Sequence, residues 1–368
     1  MPRAQETVLE INLKALTHNF QYLKSKLIGN QKFLAVVKAF AYGSDAEIIA
    51  KHLEDIGVDY FAVAYTHEGV ALRDIGITKP ILVLHPQPVN FEIIIDRCLE
   101  PNLYSFRTLK HFIKIAHSKK QESYPIHIKF NTGLNRLGFN YNQISAIGDE
   151  LGLTKTVKVK SIFSHLAASE DLNERDFSQV QINKFIRISN SFEKILRYRP
   201  TLHMCNTSGI LNYPEAHFDM VRSGIGLYGF GNSKEENNNL EPIASLKSVI
   251  SQIHTIDAGE TVGYNRAFLS DSQIKIATIP IGHADGLGRH YGNRNGFVFI
   301  NSQKAFIIGN VCMDMIMVDV TNINCVEGDE VIIFNSKHSA NDLVASVNTI
   351  SYELITAISQ RIKRTVIR

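Results

Sequence analysis

Short apolar, β-branched runs recur along the first two thirds of the chain: "FLAVV" (33–37), "YFAVA" (60–64), "PILVL" (80–84), "LYSF" (103–106), "IHIKF" (126–130), "KSIFSHL" (160–166), "LHMCN" (202–206) and "VRSGIGLYG" (221–229). Runs of this kind predict strands. Between them lie segments with helical periodicity, "DAEIIAKHLEDIG" (45–57), "RTLKHFIKIAHSKK" (107–120) and "ERDFSQVQINKFIRISNSFEKIL" (174–196), with a shorter one at "SGILNYPE" (208–215). Eight strands alternating with helices predict an α/β fold, a parallel (β/α)8 TIM-type barrel over residues 1–235. After the charged, asparagine-rich "NSKEENNNLEP" (232–242) the pattern changes to alternating runs separated by Gly, Asp and Asn turns: "SLKSVISQIHTI", "IKIATIPIG", "GFVFI", "AFIIGN", "MIMVDV" and "EVIIF". This predicts a mainly antiparallel β domain over 236–368, with a mixed, partly helical end from residue 339.

The length, 368 residues, suits such a two-domain chain, and no internal repeat complicates it. A formal net charge of +3 spread without basic blocks does not imply nucleic acid as a partner. Cys98, Cys205, Cys312 and Cys325 form no CxxC pair and have no metal-ligand spacing. The expectation is buried free thiols in a reducing compartment, with no disulfide or metal framework. The N-terminus "MPRAQETVLE" lacks an apolar core, and no apolar run approaches ~18 residues, so the sequence predicts a cytoplasmic protein without a membrane partner.

Active sites of such barrels lie at the C-terminal ends of the strands. Lys38 stands just past the first apolar run. Apolar flanks disfavour the ammonium, and a neutral amine can form a Schiff base with an aldehyde cofactor. Pyridoxal phosphate needs such a lysine together with a phosphate cradle. The loops after the seventh and eighth strands, "CNTSG" (205–209) and "RSGIGLYG" (222–229), are built from small residues that let backbone approach an anion.

Taken together, "EINLKALTHNFQYLK" (10–24), "AVVKAFAYG" (35–43), "HIKFNTGLNRLGF" (127–139), "SHLAASE" (164–170), "VRSGIGLYG" (221–229), "VGYNRAF" (262–268), "IGHADGLGR" (281–289), "NVCMDMIMVDV" (310–320) and "SYELITAISQRIKR" (351–364) resemble the alanine racemases, fold-type III pyridoxal-phosphate enzymes. The resemblance implies that Lys38 is the Schiff-base lysine and one of two catalytic bases, with Tyr264 the other. Racemisation takes the Cα proton from one face and returns one to the opposite face, so both faces need an acid/base group. The same resemblance gives His165 and Arg222 to the network around the tyrosine and the pyridine nitrogen. It gives the phosphate to Tyr42, Thr207, the amides of Gly224 and Ile225, and Tyr352, with Asn206 nearby.

Arg136 would bond the cofactor's phenolic oxygen and lie near the substrate carboxylate, with Lys129 beside it. Met313 and Asp314 would approach with Tyr264 from a partner subunit, which implies a homodimer with shared sites acting on a small amino acid. Several matched positions depart from the family: Phe40, Ser44 and Asn131 near the site, and His283, Asn310 and Glu170 in the substrate corridor, where Arg289 is retained. The expected reaction is interconversion of L- and D-alanine for peptidoglycan precursors. The alternatives are a racemase of broader specificity (serine or basic amino acids), a decarboxylase of the same fold and a non-enzymatic cofactor carrier.

Overall fold

The structure, a computed structural model, describes residues 4–367 and contains two compact units. One comprises residues 17–41 and 46–240. The other comprises the described residues up to Leu16, Tyr42–Asp45 and the chain from Glu241 on.

Strand β1 (Val8–Asn12) belongs to the second unit. The first unit is built on β2 (Lys32–Val36), β3 (Tyr60–Val63), β4 (Ile81–Val83), β5 (Glu100–Leu103), β6 (Tyr124–Lys129), β7 (Val157–Phe163), β8 (Thr201–His203) and β9 (Met220–Ser223). They pair in parallel in the order β8-β7-β6-β5-β4-β3-β2-β9. The Asp219 amide donates to the Leu202 carbonyl (3.1 Å) and the Arg222 amide to the Cys205 carbonyl (3.3 Å), which brings the two edges together as a nearly closed barrel. The strands are buried because helices cover the outside and side chains fill the inside. Helix Phe106–Ser118 turns Leu109, Phe112 and Ala116 inward, and Arg175–Leu196 does the same with Ile182, Phe185, Ile188 and Phe192.

Three strand boundaries differ from the pattern-based expectation. The strand expected at 103–106 lies at Glu100–Leu103, because Ser105 caps the next helix by accepting from the Thr108 amide. The run 160–166 ends as a strand at Phe163, which leaves His165 beyond the sheet. The run 221–229 ends at Ser223 and continues as a 3-10 turn, Ile225–Tyr228.

The second unit contains β10 (Ala244–Val249), β11 (Gln252–Ile256), β12 (Thr261–Val262), β13 (Phe268–Leu269), β14 (Ile274–Ile279), β15 (Phe297–Ile300), β16 (Gln303–Ile308), β17 (Ile316–Asp319), β18 (Glu330–Phe334) and β19 (Lys363–Ile367). Nine strands form one sheet in the order β11-β14-β17-β16-β15-β18-β10-β1-β19, antiparallel except for the β1/β19 pair. β12 and β13 form a separate hairpin. Val262, Ile274, Ile276 and Ile308 form a buried cluster. The mixed C-terminal segment resolves into helices Ala340–Ala345 and Ser351–Ala357 before β19.

All four cysteines are free, but only Cys205 is buried; Cys98 is exposed, and Cys312 and Cys325 are half-buried. Cys98 sits in the turn between helix Phe91–Asp96 and β5, at φ +51°, so the uniform burial expected of the thiols does not hold. No helix among the described residues is long and apolar enough to cross a membrane.

Candidate active site

Lys38 lies two residues beyond the end of β2 and opens a left-handed turn: Ala39, Phe40, Ala41 and Tyr42 have φ of +53° or +54°. Left-handed backbone costs a non-glycine residue about 1–2 kcal/mol, so a run of four must be held by its surroundings. Glu68 supplies one hold. Its Oε1 accepts from the Ala39 amide (2.6 Å), and its Oε2 accepts from the amides of Ala64 (2.7 Å) and Tyr65 (2.9 Å). The carboxylate thus ties the turn after β2 to the loop after β3. Burial, followed by the Arg136 charge, lowers the Lys38 pKa below its usual range against the opposing pull of Glu68. Glu68 was absent from the sequence-based candidates. Its signal is a glutamate at the third position of helix Thr66–Asp74, where a capping side chain belongs.

Arg222, at the end of β9, is buried. One terminal nitrogen contacts His203 Nδ1 (2.7 Å); the other contacts His165 Nδ1 (3.0 Å) and donates to the carbonyls of Ser164 (2.9 Å) and Met204 (3.1 Å). The guanidinium lies 5.4 Å over the Phe163 ring, which stacks on His203. Burial lowers the Arg222 pKa to about 10. Desolvation and then the Arg222 charge push half-buried His165 well below the imidazole range, with Lys129, Arg136 and Lys38 acting in the same sense. An arginine can only donate, so Nδ1 of each histidine is the acceptor.

Lys129 is buried at the end of β6, and burial followed by Arg136, Arg222 and Lys38 lowers its pKa to about 8. Arg136 is exposed in the loop after β6. Asn131 shapes that loop by accepting from the amides of Gly133 and Asn135, both at 3.1 Å. Gly138, at φ +126°, lies so near the strand end that a Cβ would stand 2.7 Å from the Asn131 nitrogen.

Next to Arg222, Thr207 Oγ1 is 2.9 Å from Ser223 Oγ and accepts from the Gly226 amide (3.2 Å). A Cβ on Gly226 would meet Thr207 Cγ2 at 2.5 Å. Asn206 Oδ1 accepts from the Gly209 amide and the Ser169 hydroxyl, both at 2.8 Å. The backbone amides of Gly224 and Ile225 have no hydrogen-bond partner among the described residues. Two open amides beside a hydroxyl pair form a concavity suited to an anion.

In the second unit the Tyr42 and Tyr352 rings lie 6.1 Å apart, and burial followed by Tyr352 raises the Tyr42 pKa. Tyr264 sits in the turn between β12 and β13, 73% exposed, after Gly263 at φ +77°. Tyr264, Met313 and Asp314 line one cleft of about 570 Å³, together with Val262, Cys312 and Met317. Asp314 is held by Arg361 (2.6 Å), which also grips buried Asp285 (2.7 Å).

The corridor candidates separate. Asn310 donates from Nδ2 to the Tyr264 carbonyl (3.0 Å), whereas His283, Arg289 and Glu170 are exposed. Within the barrel unit, then, the structure gathers Lys38, Lys129, Arg136, His165 and Arg222 as one electrostatic group. Within the β unit it gathers Tyr264 with Met313 and Asp314.

Comparison with known proteins gives the same two-part organisation. A family model described as "Alanine racemase, N-terminal domain" matches residues 11–231, and one described as "Alanine racemase, C-terminal domain" matches residues 243–366. "Alanine racemase 1" of Caldanaerobacter subterraneus is 36% identical over 368 residues, covering 97% of this chain and 94% of that protein. The structure of alanine racemase from Clostridium difficile 630 superposes with a TM-score of 0.92 at 32% identity, over 100% of this chain and 97% of that one. The Bartonella henselae alanine racemase structure, with covalently bound pyridoxal phosphate, gives 0.89 at 28% identity, over 99% and 100% of the two chains. Both halves match in order and over nearly the full length, with a lysine just past β2, the first barrel strand, and an arginine on β9, the last: this chain belongs to the alanine racemase family.

Proposed function

We propose that this protein interconverts L- and D-alanine with pyridoxal 5'-phosphate as its cofactor. It works in the cytoplasm, supplies D-alanine for peptidoglycan precursors, and acts as a homodimer whose sites draw on both copies. The observation that carries the reading is the environment of Arg222. Arg222 is a buried guanidinium held by two imidazoles and two carbonyls, and the resemblance gives it the ring-nitrogen position, at which a decarboxylase of the same fold normally carries an acidic residue. The residues also fit the cofactor's other groups: an amine with a lowered pKa at Lys38, and two partnerless amides beside Thr207.

When bound, the cofactor supplies an electron sink that makes the substrate Cα–H acidic. Lys38 Nζ is its attachment point. Thr207, the amides of Gly224 and Ile225, Tyr42 and Tyr352 hold the phosphate, with Asn206 keeping the Thr207 turn in place. Arg136 binds the phenolic oxygen and draws in the substrate carboxylate. Arg222 faces the ring nitrogen and keeps its own proton, which favours return of the Cα proton over side reactions. Lys38, whose pKa is lowered by burial and then by the Arg136 charge, exchanges the Cα proton on the face of the D enantiomer. Tyr264 of the second copy exchanges it on the L face, and Met313 and Asp314 close the substrate end. The 73% exposure of Tyr264 within its own chain leaves its ring free to serve a neighbouring copy.

The test is incubation of each alanine enantiomer with the loaded enzyme in heavy water. The expected product is the opposite enantiomer carrying deuterium at Cα. Carbon dioxide and an amine, or no exchange at all, would refute the reading. Mixing inactive Lys38→Ala and Tyr264→Phe chains should restore about a quarter of wild-type activity, since half the dimers then hold one intact site. Failure to restore it despite subunit exchange would remove the shared site.

A further inference from the structure

Behind Arg222 a line of polar side chains crosses the barrel interior. Arg222 contacts His203 Nδ1 at 2.7 Å, and His203 Nε2 lies 2.9 Å from Ser161 Oγ. Ser161 Oγ lies 2.5 Å from His127 Nδ1, and His127 Nε2 lies 2.6 Å from Glu100 Oε2. Tyr60 donates its hydroxyl to the same carboxylate oxygen. Glu100, His127, Ser161, His203 and Arg222 are all buried.

The proton positions along this line follow from the two ends. A guanidinium only donates, so His203 Nδ1 is an acceptor and its proton sits on Nε2, pointing at Ser161. A carboxylate only accepts, so His127 Nε2 carries a proton. Were His127 also protonated on Nδ1, Ser161 Oγ would receive two donors and its own hydroxyl proton would have no acceptor in the line. The arrangement that satisfies every group has both imidazoles neutral and every donor aimed from Arg222 toward Glu100. Burial, followed by the Arg222 charge, pushes His203 well below the imidazole range. Burial would raise Glu100, but its contact with His127 first, through hydrogen bond and charge, then the Tyr60 hydrogen bond and the Lys160 charge outweigh it and leave its pKa lowered.

We propose that Glu100 is a positioning residue for the Arg222 contact. Through the one-way chain His127–Ser161–His203 its carboxylate fixes the proton positions around the guanidinium and makes Arg222 hold its own protons more tightly. This rests on the reading that Arg222 faces the ring nitrogen of pyridoxal phosphate. With Glu100 neutralised, the guanidinium becomes a stronger acid, shares its proton with the ring nitrogen more fully and lengthens the life of the substrate carbanion. Transamination then gains on racemisation. Tyr60 and the neutral links act only through the carboxylate.

Imidazole nitrogen NMR of the full-length protein, with and without pyridoxal phosphate, tests the chain directly. Expected are His127 and His203 neutral with protons on Nε2. In Glu100→Gln the His203 resonances should move although His203 does not touch Glu100, and in a Ser161→Ala background the same substitution should leave them unmoved. A proton on Nδ1 of either histidine, or His203 resonances indifferent to Glu100→Gln, would overturn the proposal. In the loaded enzyme, pyruvate formed per racemisation event should rise about tenfold in Glu100→Gln, the effect of one charge over ~10 Å at an effective dielectric of ~20. An unchanged ratio in a variant that still binds the cofactor also rejects it. If the wild type does not racemise alanine, the proposed function fails, while the tautomers still decide the chain.

Discussion

Replacing Lys129 with methionine should stabilise the protein at neutral pH. The side chain is 7% exposed, so solvent screens its charge little. Burial first, then the cations Arg136, Arg222 and Lys38, draw its amine from the ordinary 10.5 down to about 8. An amine so displaced binds its proton about 3 kcal/mol less tightly in the folded chain than in the unfolded one. Methionine keeps the length of the side chain and removes the charge. It gives up the contact between the ammonium and the Phe163 ring at 5.8 Å, worth ~0.5–1 kcal/mol. The net gain should be about 2 kcal/mol.

Between pH 8 and 10.5 the unfolded wild type holds this proton while the folded form has released it, so the Lys129 contribution to stability rises with pH through that window and the gap to the variant closes. The assay is urea unfolding of both proteins at pH values below and above this window. Bicarbonate is withheld, because a carbamate formed from it on the Lys129 amine would put an anion among these cations and reverse the order. A wild type at least as stable as the variant at neutral pH, or a gap that ignores pH, would refute the reasoning.

Gly226→Ala should weaken pyridoxal-phosphate binding about 10- to 100-fold, the cost of a Cβ placed 2.5 Å from Thr207 Cγ2 in a packed loop, read by titrating cofactor absorbance; undiminished affinity would show that Thr207 is not a phosphate ligand. Glu68→Gln should lower the pH midpoint for cofactor attachment at Lys38, since the carboxylate raises the lysine's pKa, and should loosen the turn by about 1–3 kcal/mol through its weakened amide bonds. A midpoint that stays in place would restrict Glu68 to the clamp alone.

The barrel was legible because its strands are apolar throughout and separated by amphipathic segments, a pattern set by local burial and readable without knowing the partners of any strand. The same uniform burial hides which side chains point into the barrel. His127, Ser161 and His203 lie far apart in sequence and face one another only because β6, β7 and β8 pair in register, with His127 opposite Ser161 and Ser161 opposite Thr201. The allocation of β1 was equally hidden. "VLEIN" has the composition of a strand, but its partners, β10 and β19, are formed by residues more than two hundred positions later.

The site divides along the same line. By motif and order, the sequence alone determined the family and nominated residues for its chemistry: a lysine after the first barrel strand, an arginine at the last, and a tyrosine in the β unit. Only the tertiary structure decided how the Lys38 turn is held, that Asn310 grips the Tyr264 carbonyl, and that Arg222 is backed by a line of imidazoles ending on Glu100. A residue's charge and reactivity belong to its neighbours in space, and chain contacts of long separation are fixed by packing and register, which no local pattern encodes.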